Sequence, residues 1–416
     1  RAPASFGTPP NTTQKIPNHQ FQRTPEVHMS QGKLPIAVIG AGVSGLYTAL
    51  LLQRTGLPVV VFEARNRIGG RVKSVTLGKD ASKEKLERYD LGPSWFWPSS
   101  HRRMSGVVRE FGLKAFPQPD SGAYTYDQGE GKEAMHFRGG GGMHGSYRVG
   151  GGMLSIVEAI SSKLAENSVK LDSQVKSIKL VPVEGTQPEH VLLTISPKEG
   201  KQREFRASHV ILALPPRLIA EGQPACSPAL PSKVTKVLGS FPTWMAPHAK
   251  FVAVYPKAPW TEKGLSGNGA GQILGEVHEA SPVEGRPAVF GFVGPDRGTR
   301  AKLGREKLIS LARAQLTRMF GDTYEPEVLL TDWATEPLTA SKADVLHPPR
   351  GHPEYSGLPS YATGLWGGRL DFAGSETADV HGGFLEGALA SAEAAAERVL
   401  LSAKNSDGTD TCANGS

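Results

Sequence analysis

Cysteine is scarce in this chain. Among 416 residues only Cys226, in a proline-rich loop, and Cys412, near the C-terminus, carry thiols. Neither forms a Cys-x-x-Cys pair or sits among histidines at metal-ligand spacing, so a disulfide framework and a zinc site are disfavoured and no metal is expected. No uninterrupted apolar run approaches the roughly 20 residues that cross a bilayer, so no membrane span is expected. The net charge of +7 is scattered, and its densest cluster is only His101, Arg102 and Arg103. Nucleic acid is therefore not expected as a partner. These absences point to a soluble protein, placed first in the cytoplasm, with secreted and peroxisomal locations open. The start at Arg1 leaves a removed leader open too.

Glycine and proline are what the chain has in quantity, 49 and 32 residues. They imply many shaped loops and exclude a plain helical bundle. The length suits two or three domains. Residues 1–32 are polar and aperiodic and read as an arm, residues 405–416 as a tail; the Asn11 and Asn414 glycosylation matches lie in these ends. Between them, Ile36 to Ile39 is a short apolar run, Leu46 to Gln53 repeats apolar residues at helical spacing, and Val59 to Phe62 is a second buried strand. This is a right-handed βαβ unit. Further strands are expected at Val191 to Ile195, Val210 to Leu214, Lys250 to Tyr255 and Leu370 to Ala373. Helices are expected at Leu154 to Leu164, Glu306 to Phe320 and Phe384 to Leu401, with irregular chain from Phe320 to about Gly368.

Gly40, Gly42 and Gly45 form G-x-G-x-x-G between the first strand and the helix. The first glycine permits the turn, the second lets backbone approach a pyrophosphate, and the third allows tight helix packing. Glu63 ends the second strand, 18 residues beyond Gly45, placed to accept hydrogen bonds from ribose hydroxyls. A carboxylate there disfavours a 2′-phosphate, leaving FAD or NAD(H). Within eight further positions come Gly69, Gly70 and Arg71, a second close-approach turn with a fork of donors suited to phosphate. A nicotinamide enzyme has no obvious use for that second turn.

With these motifs the chain resembles the flavin-containing amine oxidase family, which includes monoamine and polyamine oxidases. The resemblance runs through IAVIGAGVSGL (36–46), FEARNRIGGRV (62–72), DLGPSWFWP (90–98), YRVGGGM (147–153), HVILALPP (209–216), KFVAVYPKAPW (250–260), DWATEP (332–337) and FAGSETADVHGGFLEGAL (372–389). It implies an α/β fold with a mixed-sheet α+β part, in which a Rossmann-like FAD-binding domain is interleaved with a substrate-binding domain. The expected division is 33–94, 146–240 and 346–404 for FAD and 95–145 and 241–345 for substrate.

The resemblance carries roles onto particular positions. Ala64 and Arg65, then Gly92, Pro93, Ser94 and Trp95, join the glycine turns around FAD. Val175 falls where the family's backbone meets adenine, Ala213 on a strand that reaches the flavin, and Gly374, Ser375 and Glu376 near the pyrophosphate or ribityl chain. Hydride removal beside an amine nitrogen leaves negative charge on the flavin. The start of the last helix, Gly383, Phe384 and Leu385, would answer it with unpaired N–H groups, Gly382 and Gly383 letting the ring approach. Lys250 matches the family's lysine that holds a water at the flavin, and burial there would depress its pKa. Lys250, Phe384 and Trp333 are thus the expected catalytic residues. Trp95, Trp97, Trp333 and Trp366 are expected as aromatic walls.

Departures from the family pattern matter as well. Monoamine oxidases face the flavin with two aromatic rings. Here Phe384 fills one position, but Lys342 and Ala343 fall where the attachment cysteine and second ring belong, with Tyr355 or Tyr361 as spatial substitutes. FAD is accordingly expected to be noncovalent. Glu336, Asp379 and His381 are candidates to meet the amine, but a structural or solvent-facing place is the first expectation for each. The expected substrates are a primary amine and O2, a monoamine first and polyamines next. An L-amino acid oxidase, using Arg138, Arg148 or Arg369 for the carboxylate, is the rival. A noncatalytic relative of the GDP-dissociation-inhibitor type and a nicotinamide dehydrogenase follow. A homodimer stays open.

Overall fold

In the computed structural model, residues 33–77, 87–139, 143–185, 188–349 and 351–408 are described. The expected arm, both glycosylation matches, Cys412, Gly140 to Gly142 and most of the expected tail lie outside the described residues.

The βαβ unit nucleates a five-stranded parallel sheet, ordered Leu370–Phe372, His209–Leu212, Ile36–Ile39, Val59–Phe62, Val169–Lys170. Its strands are short continuous Val/Ile/Leu runs because both faces are covered. Ile36, Val38, Val61 and Ile211 pack on one side against the helix Val43–Arg54, the helix Leu154–Ser161 and the C-terminal helix. The intervening Ala37, Ile39, Val60, Phe62, Val210 and Leu212 face Val175, Ile178, Val191, Leu193 and Ile195. Those residues belong to a four-stranded sheet of Arg203–Ala207, His190–Pro197, Ser173–Val181 and Ala225–Ser227. The strand period of two therefore divides one short motif between two cores.

A separate seven-stranded mixed sheet runs Glu327–Asp332, Ala249–Val254, Ala288–Val293, Leu274–Glu279, Leu265–Ala270, Ala123–Tyr126, Met135–Arg138. Phe251 and Ala253 face the helix Arg305–Phe320 through Leu308, Ala312 and Leu316. Alternate residues face the other way, where Val252, Val254 and Phe290 meet Tyr89 and Leu91. That second face looks toward the parallel sheet and carries Lys250.

Two expectations need correction, and two strands went unread. The chain between Phe320 and Gly368 is not irregular throughout, since Glu327–Asp332 completes an edge of the large sheet. The strands Leu265–Ala270 and Leu274–Glu279 were not anticipated, because Gly267, at φ +77°, and a register shift in each break their alternation. The last helix spans Leu385–Gly408, so it begins one residue later than expected and enters the region assigned to the tail.

Candidate active site

Between the two sheets lies one cavity of about 1010 Å³, lined from Glu63, Ser173 and Val175 at one end to Lys250, Glu276 and Phe292 at the other. The first end is made of backbone. A Cβ at Gly45 would lie 2.0 Å from the Gly40 carbonyl oxygen, so helix and turn close only on glycine; a Cβ at Gly42 would meet nothing within 4 Å. Gly42 forms the helix N-cap without a side-chain hydrogen bond and lines the cavity, leaving the helix start open to an anion. The Gly69–Gly70 turn lies against it through a bridge between Gly42 and Gly69.

Glu63 is fixed by two backbone donors, Ala41 N to Oε2 and Arg65 N to Oε1, both at 2.9 Å, which orients its carboxylate at the cavity edge. Gly40, Ala64, Arg65, Gly69, Gly70, Arg71, Gly92, Pro93, Ser94, Trp95, Ala213, Trp333, Gly374, Ser375, Gly383, Phe384 and Leu385 also line this cavity. Two assigned residues do not. Gly45 works through packing alone, and Glu376 is fully buried.

Glu376 explains the arginine of the second turn. Arg71 sends both terminal guanidinium nitrogens to its carboxylate, Nη1 to Oε1 and Nη2 to Oε2, and Nη2 also reaches Ser375 Oγ at 3.3 Å. The fork thus grips a buried carboxylate while the arginine still lines the cavity, and it ties residues 69–71 to 374–376. Glu376 in turn raises the Arg71 pKa against the desolvation that opposes it.

The other end is made of side chains. Lys250, Phe292 and Glu276 are directly paired across three adjacent strands and form a row on one sheet face. Lys250 is 3% exposed. Its Nζ donates to the Gly92 carbonyl at 2.9 Å and to Ser94 Oγ at 2.7 Å, and stands 3.8 Å from the Phe290 ring centroid. Burial lowers its pKa to about 7, with Asp90 opposing and Arg148 reinforcing the shift. Trp95 packs on His278, Phe290 and Phe292. Trp333 sends its indole N–H to the Leu91 carbonyl at 2.9 Å, which clamps the 91–94 segment beside Lys250.

Phe384 stands in an aromatic cluster that sequence reasoning missed in part. His352 stacks on it at 4.8 Å and 17°, and Trp244 meets it edge-on at 5.0 Å; both line the cavity. The only sequence signal was their flanking prolines, in PTW and GHP. Lys342 and Ala343 lie instead on a short helix, Lys342–Leu346, off the cavity. Tyr361 is exposed under Lys233, and Tyr355 bonds the Pro242 carbonyl. A Cβ at Gly382 would collide with Tyr355 at 2.5 Å, so this glycine makes room for a side chain rather than a cofactor ring. Trp366 packs in the core beneath the parallel sheet. Asp379 and His381 are exposed and off the cavity, while Glu336 turns to Arg65.

The sequence profile of flavin containing amine oxidoreductases matches residues 130–400, and that of NAD(P)-binding Rossmann-like domains matches residues 38–111. The chain belongs to the flavin containing amine oxidoreductase family. The putrescine oxidase of Kocuria rosea is 32% identical over 153 residues, 36% of this chain and 31% of that protein. The L-amino acid dehydrogenase of Synechocystis is 22% identical over 87% of this chain and 94% of its own. The first curated relatives are aligned over only 15–18% of their length. Wild-type putrescine oxidase solved with putrescine superposes with a TM-score of 0.67 at 21% identity, over 89% of this chain and 99% of that one. That likeness establishes the shared fold. The family uses a flavin, and the glycine-lined end, the oriented Glu63 and a cavity long enough to continue to Lys250 fit FAD, with no cysteine among the cavity-lining residues to attach it.

Proposed function

We propose that this chain is an FAD-dependent amine oxidase that converts a primary amine, O2 and water into a carbonyl compound, ammonia and hydrogen peroxide. The observation that carries this reading is Lys250, a lysine buried in the same cavity as the Gly40–Gly42 turn and lowered to a pKa near neutrality. FAD would supply the two-electron acceptor that returns electrons to oxygen. Gly42, Glu63 and the helix start would hold its phosphates and ribose. The protein would exclude water with Trp95, Trp244, Phe292 and Phe384. Lys250 would hold or release a proton at the far wall.

The cavity charges bear on the substrate. Arg65 and Arg71 are its lining arginines; Arg65 bonds Thr339 and Glu336, and Arg71 is committed to Glu376. Arg148 is buried against the carbonyls of Ala280 and Ser281, Arg369 bonds Glu189, and Arg138 is exposed on an edge strand. None is free within the cavity to hold a substrate carboxylate, which favours an amine over an amino acid. Its lining acids are Glu63, already held by backbone, and Glu276. Glu276, kept ionised by the His278 hydrogen bond at 3.2 Å, favours an amine that carries a second cationic group.

The test is peroxide release from the purified, FAD-saturated protein with monoamines, diamines and L-amino acids. Peroxide from amines alone is expected. Release only from amino acids moves the reading to its rival, and protein that stays colourless in excess FAD ends it.

A further inference from the structure

Lys250 has few contacts at its polar end, and they differ in kind. One is the Gly92 carbonyl, one is the Phe290 ring, and one is the Ser94 hydroxyl. Asp90 faces the lysine, but its Oδ1 is engaged by Ser74 Oγ at 2.6 Å and Met153 N at 3.0 Å. Arg148, on the strand Tyr147–Val149, donates to backbone carbonyls and stands 3.6 Å from Glu279 Oε2. Asp90 and Arg148 are each at most 7% exposed and act on Lys250 through the field, while the equally buried Glu279 faces Arg148. Ser94 is the side chain that bonds it.

We propose that Ser94 is the positioning residue of Lys250, its hydroxyl fixing Nζ in the cavity wall and setting how readily the amine takes up a proton. This rests on the oxidase reading only for its consequence in the reaction. The Gly92 carbonyl can only accept. The Ser94 hydroxyl serves both states, accepting from an ammonium or turning its own proton to the lone pair of a neutral amine. The bond to the ammonium is charge-assisted and the stronger of the two. Removing the hydroxyl therefore costs the charged form more, and protonation of Lys250 moves to lower pH. A threonine keeps the hydroxyl and should keep the setting.

The experiment uses the FAD-bound protein and its Ser94→Ala and Ser94→Thr variants. Oxidised-flavin absorption is titrated through neutral pH, and in parallel Lys250 is labelled with brief pulses of acetic anhydride at graded pH, read by mass spectrometry. The expected midpoint is about 7 in the parent. It should fall by about half a unit or more in Ser94→Ala and stay with the parent in Ser94→Thr. A residue that only supports the fold would change yield or melting temperature without moving the midpoint. A Ser94→Ala midpoint equal to the parent's, or a Ser94→Thr shift as large as that of alanine, overturns the proposal. If Ser94→Ala fails to retain FAD, labelling of the flavin-free proteins decides the matter. Anaerobic addition of amines tests the oxidase reading separately: failure of any amine to bleach the parent sinks that reading and leaves the Ser94 titration standing.

Discussion

At one end of the cavity the walls are backbone from turns such as 40–42 and 69–71, each specified by a few adjacent letters of sequence. At the other end they are side chains: Lys250, Phe292, Glu276, Trp95, Trp244 and His352 come from six separate segments. The difference follows from what each end would recognise. A pyrophosphate is met by N–H groups, which every residue has, so the requirement falls on where a Cβ must be absent. An amine and the chemistry beside it are met by particular functional groups, so the requirement falls on which strands are paired and in what register. The backbone end is rigid about small residues, and the side-chain end is tuned by burial.

The largest effect should come from the side-chain end. Lys250→Met is expected to slow reoxidation of the reduced protein by oxygen by about 10²–10⁴-fold, the span of a positioned proton donor, while FAD content stays near the parent's. Stopped-flow mixing with oxygen measures it; a loss below threefold would remove Lys250 from the reaction. The backbone end breaks differently. Gly45→Ala drives a methyl into the Gly40 carbonyl and should give unfolded or insoluble protein. Gly42→Ala has room in the folded chain and an extended backbone, φ −75° and ψ 178°, that any residue adopts, so it should fold normally yet bind FAD at least about tenfold more weakly. Equal FAD affinity in Gly42→Ala would mean that the pyrophosphate does not approach this turn.

The same contrast decides what could be read before the fold was seen. The βαβ unit, Glu63 and the glycine turns were legible because their constraint is local. Lys250 was marked by the family resemblance, but its row with Phe292 and Glu276 was not, because cross-strand register is absent from any single segment. The partner of Arg71 shows the limit most clearly. An arginine beside a Gly-Gly turn reads as a phosphate ligand, and nothing nearby in the sequence announces that Glu376, 305 positions away, holds both its terminal nitrogens. Trp244 and His352 were illegible for a like reason, since Gly382 and Gly383 make room for Tyr355 and His352 only once the chain has returned.

Acidification should destabilise the fold through two buried bases, one off the cavity and one in its wall, each in its own pH window. His209, in the parallel sheet, is 5% exposed with both ring nitrogens unpartnered, and burial followed by Arg369 lowers its pKa to about 4. The unfolded chain protonates as pH falls below about 6.5 and the folded chain only near 4, so stability is lost progressively across that window, by at most about 3 kcal/mol for this group. His209→Phe should flatten the acid limb of a melting-temperature profile. Lys250 acts with the same sign in a higher window. Its depressed pKa costs stability in full below about 7, and the cost fades as pH rises toward the unfolded value of 10.5. A parent profile that does not decline between about pH 6.5 and 4 would show that His209 finds a partner on protonation.

The smallest effect is expected at Glu276, whose side chain is 63% exposed, so solvent screens it. Glu276→Gln keeps the shape and removes the charge, and should raise KM for diamines by about two- to fivefold, the worth of a screened ion pair, with kcat unchanged. For a monoamine of equal length KM should not move, because no second charge reaches the carboxylate. Raising salt should reproduce the diamine effect in the parent and leave the variant indifferent. If mono- and diamines suffer alike, Glu276 shapes the mouth through His278 instead of reading the substrate, and the tuning of the side-chain end would stop at Lys250 and its aromatic neighbours.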